Sequence, residues 1–376
     1  MDLELSEEQQ ALAGAVRQFL AAECPISLVR QVVEEGKRAD DLWAAMVALD
    51  WPAMAWPETD GGLGLGQVEL SVVCEEQGRV LAPVPFLASA TQFAAACVAA
   101  GTPEQRRRFV AGSMAGQVGT LAIAEAGGRV AAADTQTVAT PLPHGRWRLS
   151  GVKHDVLDAG KAEEIAVSAR LPGTTASDGI ALFVVPAAAV EIRPLHGLDA
   201  TRGLDTVVLD GVEVDGEGTL GTPGDMACAL DGVVGRATAA LCAETVGTSQ
   251  AIFDIVLAYV KEREQFGVKI GSFQAIKHKM ANMYLALEAA RATAYFAAVA
   301  IDEDDEERQV AVWMAKSAAA DCQKLMATEG IQCLGGIGYT WEHDMHLYVK
   351  RQKAQAALLG TGAEHRAALA AHLGLA

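Results

Sequence analysis

Apolar positions recur along this chain with two different periods, and the change from one to the other divides it. From Ser6 the spacing is helical: Ser6 and Gln9 read as a capping box, and Leu12, Val16, Phe19 and Leu20 follow at helical intervals. Similar Ala- and Leu-rich stretches at 40–48, 67–80, 88–100 and 103–111 predict further helices. The glycine cluster GGLGLG at 61–66 interrupts them. No strand precedes it, so it reads as a turn between helices rather than a phosphate cradle. Near residue 118 the period shortens. GTLAIAEA, RWRLSGVKHDVL, GIALFVVP and TVVLDGVEV are short, β-rich and separated by turn residues, with His144 and Gly145 marking a hairpin. From about 229 the helical period returns, with helices expected at 229–264, 272–301, 305–329 and 343–357. The first of these, about 35 residues and roughly 50 Å long, suits a bundle. The expected fold is α+β: an N-terminal helical domain (1–117), a middle, largely antiparallel β domain (118–228) and a C-terminal four-helix-bundle domain (229–376).

Composition narrows the classes. With 376 residues, 51% of them apolar, the chain has ample material for a packed core. The net charge of −18 is spread along the sequence, which argues against a nucleic-acid or anionic-membrane footprint, since phosphate neutralisation needs clustered Lys and Arg. Arg106, Arg107 and Arg108 form the one obvious basic run and read as a solvated helix end. Seven cysteines without a CxxC pair, and no His at ligand spacing, support neither a disulfide framework nor a metal site. The start, MDLELSEEQQALAGAV, lacks the basic and apolar regions of a signal peptide, and no stretch has the form of a membrane span. A reduced, cytoplasmic protein is expected.

Candidate chemistry lies in three places. AALCAETVGTSQA (239–251) is small and apolar apart from Glu244, whose helical neighbours are Ala237, Ala240, Leu241, Gly247, Thr248 and Ala251. A carboxylate buried there without a cation would have a raised pKa, as suits a general base. The plainer alternatives are an ion pair with an Arg or Lys of another helix, or a solvent-facing position. In REQFGVKIGSFQAIKHKMANMY (263–284), Arg263 at a helix end is free to reach a phosphate, Phe266 offers a stacking face, and Gly267 is expected to end the helix. In GIQCLGGIGY (330–339), the amides of Gly335 and Gly336 suit a closely approaching pyrophosphate.

Together, at this spacing and in this α–β–α order, these motifs resemble the acyl-CoA dehydrogenase family over nearly the whole chain. The resemblance implies FAD, an acyl-CoA thioester substrate, oxidation of its Cα–Cβ bond to a 2-enoyl-CoA, and electron transfer to an electron-transfer flavoprotein. It also implies that Arg263, Phe266, Gln274, Gln332, Gly335 and Gly336 hold the adenosine and pyrophosphate half of FAD, largely across a subunit interface in a tetramer. Thr361, in LLGTG, would add a further contact. The chain departs from the family where the reaction needs a carboxylate to remove the α-proton. The YEGT-like motif reads LLGT, placing Leu359 at the base position, and the alternative position early in the first bundle helix holds Ala237. In the β domain, AEAGGRV (124–130) and GVKHDVLDA (151–159) stand for the usual flavin-contacting motifs, with Asp155 in place of Trp and Leu157 in place of Thr. These departures are similar to a subgroup of α2β2 heterotetramers, of the steroid side-chain and pimeloyl-CoA type. Glu244 is then the candidate base, Glu364 the runner-up, and His365 a solvated histidine. Three readings stand: a subunit working with an unlike, acyl-CoA dehydrogenase-like partner; a self-sufficient homotetramer using Glu244; and a non-catalytic structural subunit.

Overall fold

A computed structural model of the chain describes residues 5–375, so the first four residues of the acidic N-terminal stretch lie outside the described residues. The opening pattern forms the helices that the spacing predicts, together with one at Ile26–Glu35 that it does not. In α1 (Glu7–Glu23) the Ser6 hydroxyl accepts the Gln9 N–H at 3.2 Å, and the Gln9 side-chain oxygen accepts the Ser6 N–H at 3.0 Å. α2 (Ile26–Glu35), α3 (Asp40–Val47) and α4 (Gln67–Val80) follow. Next comes α5 (Phe86–Ala88), which runs through a π-helical turn at Ser89–Phe93 into α6 (Ala94–Ala100), and then α7 (Pro103–Met114). The glycine cluster is a turn leading into α4. The first amides of that helix, Gln67 and Val68, donate to the Asp302 carboxylate at 2.7 and 2.9 Å, so a side chain of this same chain fills its N-terminus. Within the basic run the expected solvated end is only partly seen: Arg106 reaches the buried carboxylate of Asp60 at 2.5 Å.

The middle of the chain supplies β1 (Gly119–Ala122), β2 (Val138–Pro141), β3 (Trp147–Leu157), β4 (Glu164–Arg170), β5 (Ile180–Pro186), β6 (Glu191–Pro194), β7 (Leu204–Val214) and β8 (Thr219–Gly224). They form one sheet in the order β6-β7-β3-β2-β4-β5-β8, with β1 also on β4. Most pairs are antiparallel, and His144 and Gly145, both at positive φ, make the turn between β2 and β3. β1 and β2, however, run parallel to β4, so the sheet is mixed. A two-residue period reports which face is buried and is silent on a partner's direction. The β3–β7 register shifts between Lys153 and Val156, and Asp155 sits in this bulge at φ 53°.

α8 (Ala227–Glu262) opens the bundle, followed by the hairpin β9 (Glu264–Gln265) and β10 (Val268–Lys269), then α9 (Gln274–Asp302), α10 (Arg308–Leu334), α11 (Met345–Gln355) and α12 (Gly362–His372). Gly267 does not end the first helix, as its sequence context suggested. The helix stops at Glu262, and Phe266 and Gly267, at φ 55° and 79°, form the hairpin turn. By length and composition α8 and α9 are apolar enough to cross a membrane, but the α8 surface is largely taken up by α4, α9 and α10. The small residues of 239–251 have a packing cause. A Cβ on Gly247 would lie 1.8 Å from the Glu75 carbonyl oxygen of α4, and one on Gly78 2.1 Å from the Glu244 carbonyl oxygen. The α4 and α8 backbones therefore touch where glycine allows it.

Candidate functional site

Glu244 lies on the middle of α8 and is buried, as the apolar face around it requires. It is not alone there. Arg202, on the loop before β7, and Arg351, on α11, both donate to its Oε1, the latter at 3.0 Å, and the Gln355 amide donates to Oε2 at 3.1 Å. Arg351 is fully buried and also donates through Nε to Asp199 at 2.5 Å, and through Nη2 to Thr201 and to the Leu81 carbonyl. Burial alone pushes the Glu244 carboxyl up. The charges of Arg202 and Arg351 and the hydrogen bonds from Gln355 and Arg202 outweigh it and hold the carboxyl below the ordinary carboxylate range. Asp199 is likewise held down against its burial by Arg351 and Arg202. The expected raised pKa is thereby corrected, because the sequence around Glu244 does not show the cations that converge from 42 and 107 positions away. A carboxylate held by two guanidiniums is a poor proton acceptor.

This cluster ties three parts of the molecule together: the end of α4, the loop before β7, and the α8–α11 contact. Beside it, between the sheet and the end of α11, lies a cavity of about 220 Å³. Asp199 and Arg202 form part of its wall; Leu358 and Leu359 form another, and Gln92 of the π-helical turn a third. From the sheet come Ile123, His154, Asp155 and Leu157. Leu359 therefore borders the cavity from the position where the resemblance puts a base. Its segment is held in place by buried Lys316, which donates to the carbonyls of Gln355 and Leu358 at 2.8 Å each and whose amine burial pushes down to about 8. The ring of His365 lies 2.9 Å from the Leu359 carbonyl, and burial lowers its pKa, so this histidine is packed rather than solvated. Glu364 is exposed and engaged in capping α12 through Thr361, with its pKa lowered by those hydrogen bonds.

The candidates for FAD fall into two groups. Arg263, Phe266 and Gln274, at the end of α8 and the start of α9, share one end of the antiparallel bundle with Gln332, Gly335 and Gly336 at the end of α10. An ion pair between Lys279 and Glu329 joins the two segments. All six are exposed, Phe266 by 93%. Gly335, at φ 65° and ψ −139°, takes a backbone conformation suited to glycine, and a Cβ on either glycine would meet nothing within 4 Å. An exposed guanidinium, an uncovered aromatic ring and an open glycine turn fit the phosphate and adenine end of a dinucleotide. Thr361 is elsewhere. It caps α12, which packs on α10 through Arg366 and Asp321, about 21 Å along the helix from Gly335. Asp155 and Leu157, the two residues that the resemblance sets in place of a tryptophan and a threonine, line the cavity.

The residues that sequence reasoning missed are Gln92, Asp199, Arg202, Arg351 and Gln355. Two weak signals were present: Asp199, Thr201 and Arg202 crowd into the turn before a strand, and Arg351 and Gln355 lie four apart on one helix face. In the β domain, Glu125 of AEAGGRV is a structural anchor. It accepts the amides of Gln136 and Thr137 at 2.9 Å and the Lys153 amine at 2.6 Å, and burial pushes that amine down to about 8. Among the described residues the cysteines are free, and no group of His, Cys, Asp and Glu could hold a metal ion.

Comparison with known proteins agrees with this layout. Residues 6–117 match the family model described as acyl-CoA dehydrogenase, N-terminal domain, and residues 232–374 that described as acyl-CoA dehydrogenase, C-terminal domain. Acyl-CoA dehydrogenase IpdE2 of Mycobacterium tuberculosis is 29% identical over 94% of this chain and 93% of its own. The mitochondrial isovaleryl-CoA dehydrogenase of Solanum tuberosum is 30% identical over 85% of this chain and 79% of its own. Among solved structures, a chain of the ChsE4-ChsE5 complex from Mycobacterium tuberculosis matches with a TM-score of 0.89 at 26% identity, covering 100% of both chains.

Proposed function

The chain belongs to the acyl-CoA dehydrogenase family of FAD-dependent oxidoreductases, and from that membership we propose that it works as one of two unlike subunits in a heteromeric enzyme. The reaction class is the α,β-dehydrogenation of an acyl-CoA thioester. The observation that carries the heteromeric reading is Leu359 on the cavity wall, combined with a Glu244 already committed to two arginines. In this reading the α-proton acceptor comes from the partner, and an electron-transfer flavoprotein takes the electrons onward.

When bound, FAD supplies the hydride acceptor. This chain would hold its phosphate and adenine end through Arg263, Gln274, Gln332, the amides of Gly335 and Gly336, and the face of Phe266. Thr361, about 21 Å away along α10, would serve a different copy of the cofactor. The distance between the two groups supports a site shared between chains. The apolar wall of Ile123, Leu157, Leu358 and Leu359 excludes water from an acyl chain, and the Glu244 cluster fixes the loop that carries Arg202. A second reading, a structural subunit without chemistry of its own, draws on the same Leu359 and on Asp155 and Leu157 at the ring end.

Purification alone and with a co-expressed second chain of the family separates these readings. The heteromer predicts a colourless or weakly coloured chain that gains the flavin absorbance on co-expression, and an activity that falls when Arg263→Ala is introduced in this chain. A yellow, active homotetramer would sink both the heteromeric and the structural readings. Full activity of the assembly with Arg263→Ala would favour the structural one.

A further inference from the structure

Two residues on the wall of the cavity each carry a buried hydrogen-bond donor without a partner. Gln92, on the π-helical turn, is 3% exposed, and its Nε2 meets no acceptor among the described residues. The Arg202 side chain is 8% exposed. It donates through Nη2 to Glu244, and its Nη1 likewise has no partner among the described residues. The rest of the lining is mostly Leu, Ile, Val and Ala. Buried donors are nearly always satisfied, and leaving one unsatisfied costs free energy that a ligand's acceptor atom recovers. The π-helical geometry that carries Gln92 is itself rare and concentrates at functional sites.

Charge balance decides which acceptor fits. Arg202 and Arg351 face Glu244 and Asp199, and the cavity lining itself carries two cations, Arg202 and Lys353, against two carboxylates, Asp155 and Asp199. A carboxylate entering this cavity would add a charge to a lining whose own charges already cancel, and would lose its hydration. A neutral carbonyl oxygen offers such donors an acceptor and adds no charge. We propose that Gln92 and Arg202 form a binding point for a ketone oxygen on the acyl group, so that the cavity selects acyl-CoA thioesters carrying a ketone over plain or carboxylate-ended ones. The inference rests on the acyl-CoA reading above.

Calorimetry on the full-length protein in its native assembly tests it with three thioesters of one chain length: octanoyl-CoA, the same compound with a ketone on its penultimate carbon, and suberyl-CoA. The ketone is expected to bind about tenfold more tightly than octanoyl-CoA, and suberyl-CoA no more tightly. Gln92→Leu and Arg202→Lys should each bring the ketone's affinity down toward that of octanoyl-CoA. Because Gln92→Leu removes an unpaired buried amide, its ligand-free melting temperature should hold or rise, whereas a purely structural role for Gln92 would lower it. Equal binding of ketone and plain thioester, tighter binding of suberyl-CoA, or a ketone preference that survives both variants overturns the proposal. Variants that lose bound flavin while keeping the ketone preference also overturn it, assigning the donors to the cofactor instead. If no thioester binds, the acyl-CoA reading fails together with the inference.

Discussion

At the scale of single residues, Glu244 changes meaning once its neighbours are known. A lone acid on an apolar helix face looks like a base; with Arg202, Arg351 and Gln355 on its oxygens it holds a junction together. Replacing it with Gln leaves two buried guanidiniums short of their counter-charge, and a loss of about 3–5 kcal/mol in urea unfolding at neutral pH is expected. The pH dependence has a definite sign. Since its folded pKa is depressed, Glu244 contributes stability that is present above its unfolded pKa and is lost as pH falls through the folded value. Asp199 acts in the same direction. The wild-type protein should therefore lose stability steeply below about pH 4, the ordinary carboxylate range, and Glu244→Gln should flatten that limb. In the assembled enzyme the acid limb of the kcat profile should persist in Glu244→Gln; its disappearance would restore Glu244 as the base.

At the scale of elements, the crossing of α4 and α8 and the fastening of α11 set the shape of the cavity. A methyl on Gly247 would overlap the Glu75 carbonyl of α4, so Gly247→Ala should destabilise by about 1–3 kcal/mol or more in thermal unfolding. Gly14, on exposed α1 with nothing within 4 Å of a Cβ, is the control: Gly14→Ala should stabilise by about 0.5–1 kcal/mol. Lys316 holds the backbone that carries Leu359. Lys316→Met leaves the carbonyls of Gln355 and Leu358 without that donor. Faster amide hydrogen exchange over 356–361 is expected, with a stability cost of about 1–3 kcal/mol. Unchanged exchange there would show that packing alone fixes the segment.

At the scale of the whole molecule, the bundle end that holds the FAD candidates also exposes large apolar side chains: Phe266 at 93%, Tyr339 at 80% and Trp341 at 54%. Large apolar side chains left this exposed suit a surface that a partner covers. On the heteromeric reading, native mass spectrometry of the co-expressed protein should show two copies of each chain, and Phe266→Asp should dissociate the assembly and release flavin together. Dissociation without loss of flavin would place Phe266 in the subunit contact alone.

The helical and strand segments were legible because each element carries its own period. The capping box at Ser6, the hairpin at His144 and Gly145, and the long first bundle helix all follow from residues within a few positions of one another. The family resemblance was legible for a similar reason, since its motifs are local. Strand direction, the partners of Glu244 and the partnerless donors of Gln92 and Arg202 were not. Each depends on residues tens to hundreds of positions apart, and no local pattern encodes which distant groups meet. The sequence by itself determined that a single carboxylate shares a helix face with small apolar residues, because the helical period sets which residues lie together. Only the tertiary structure decided that two arginines wait there, because a pKa is set by the charges that folding brings near.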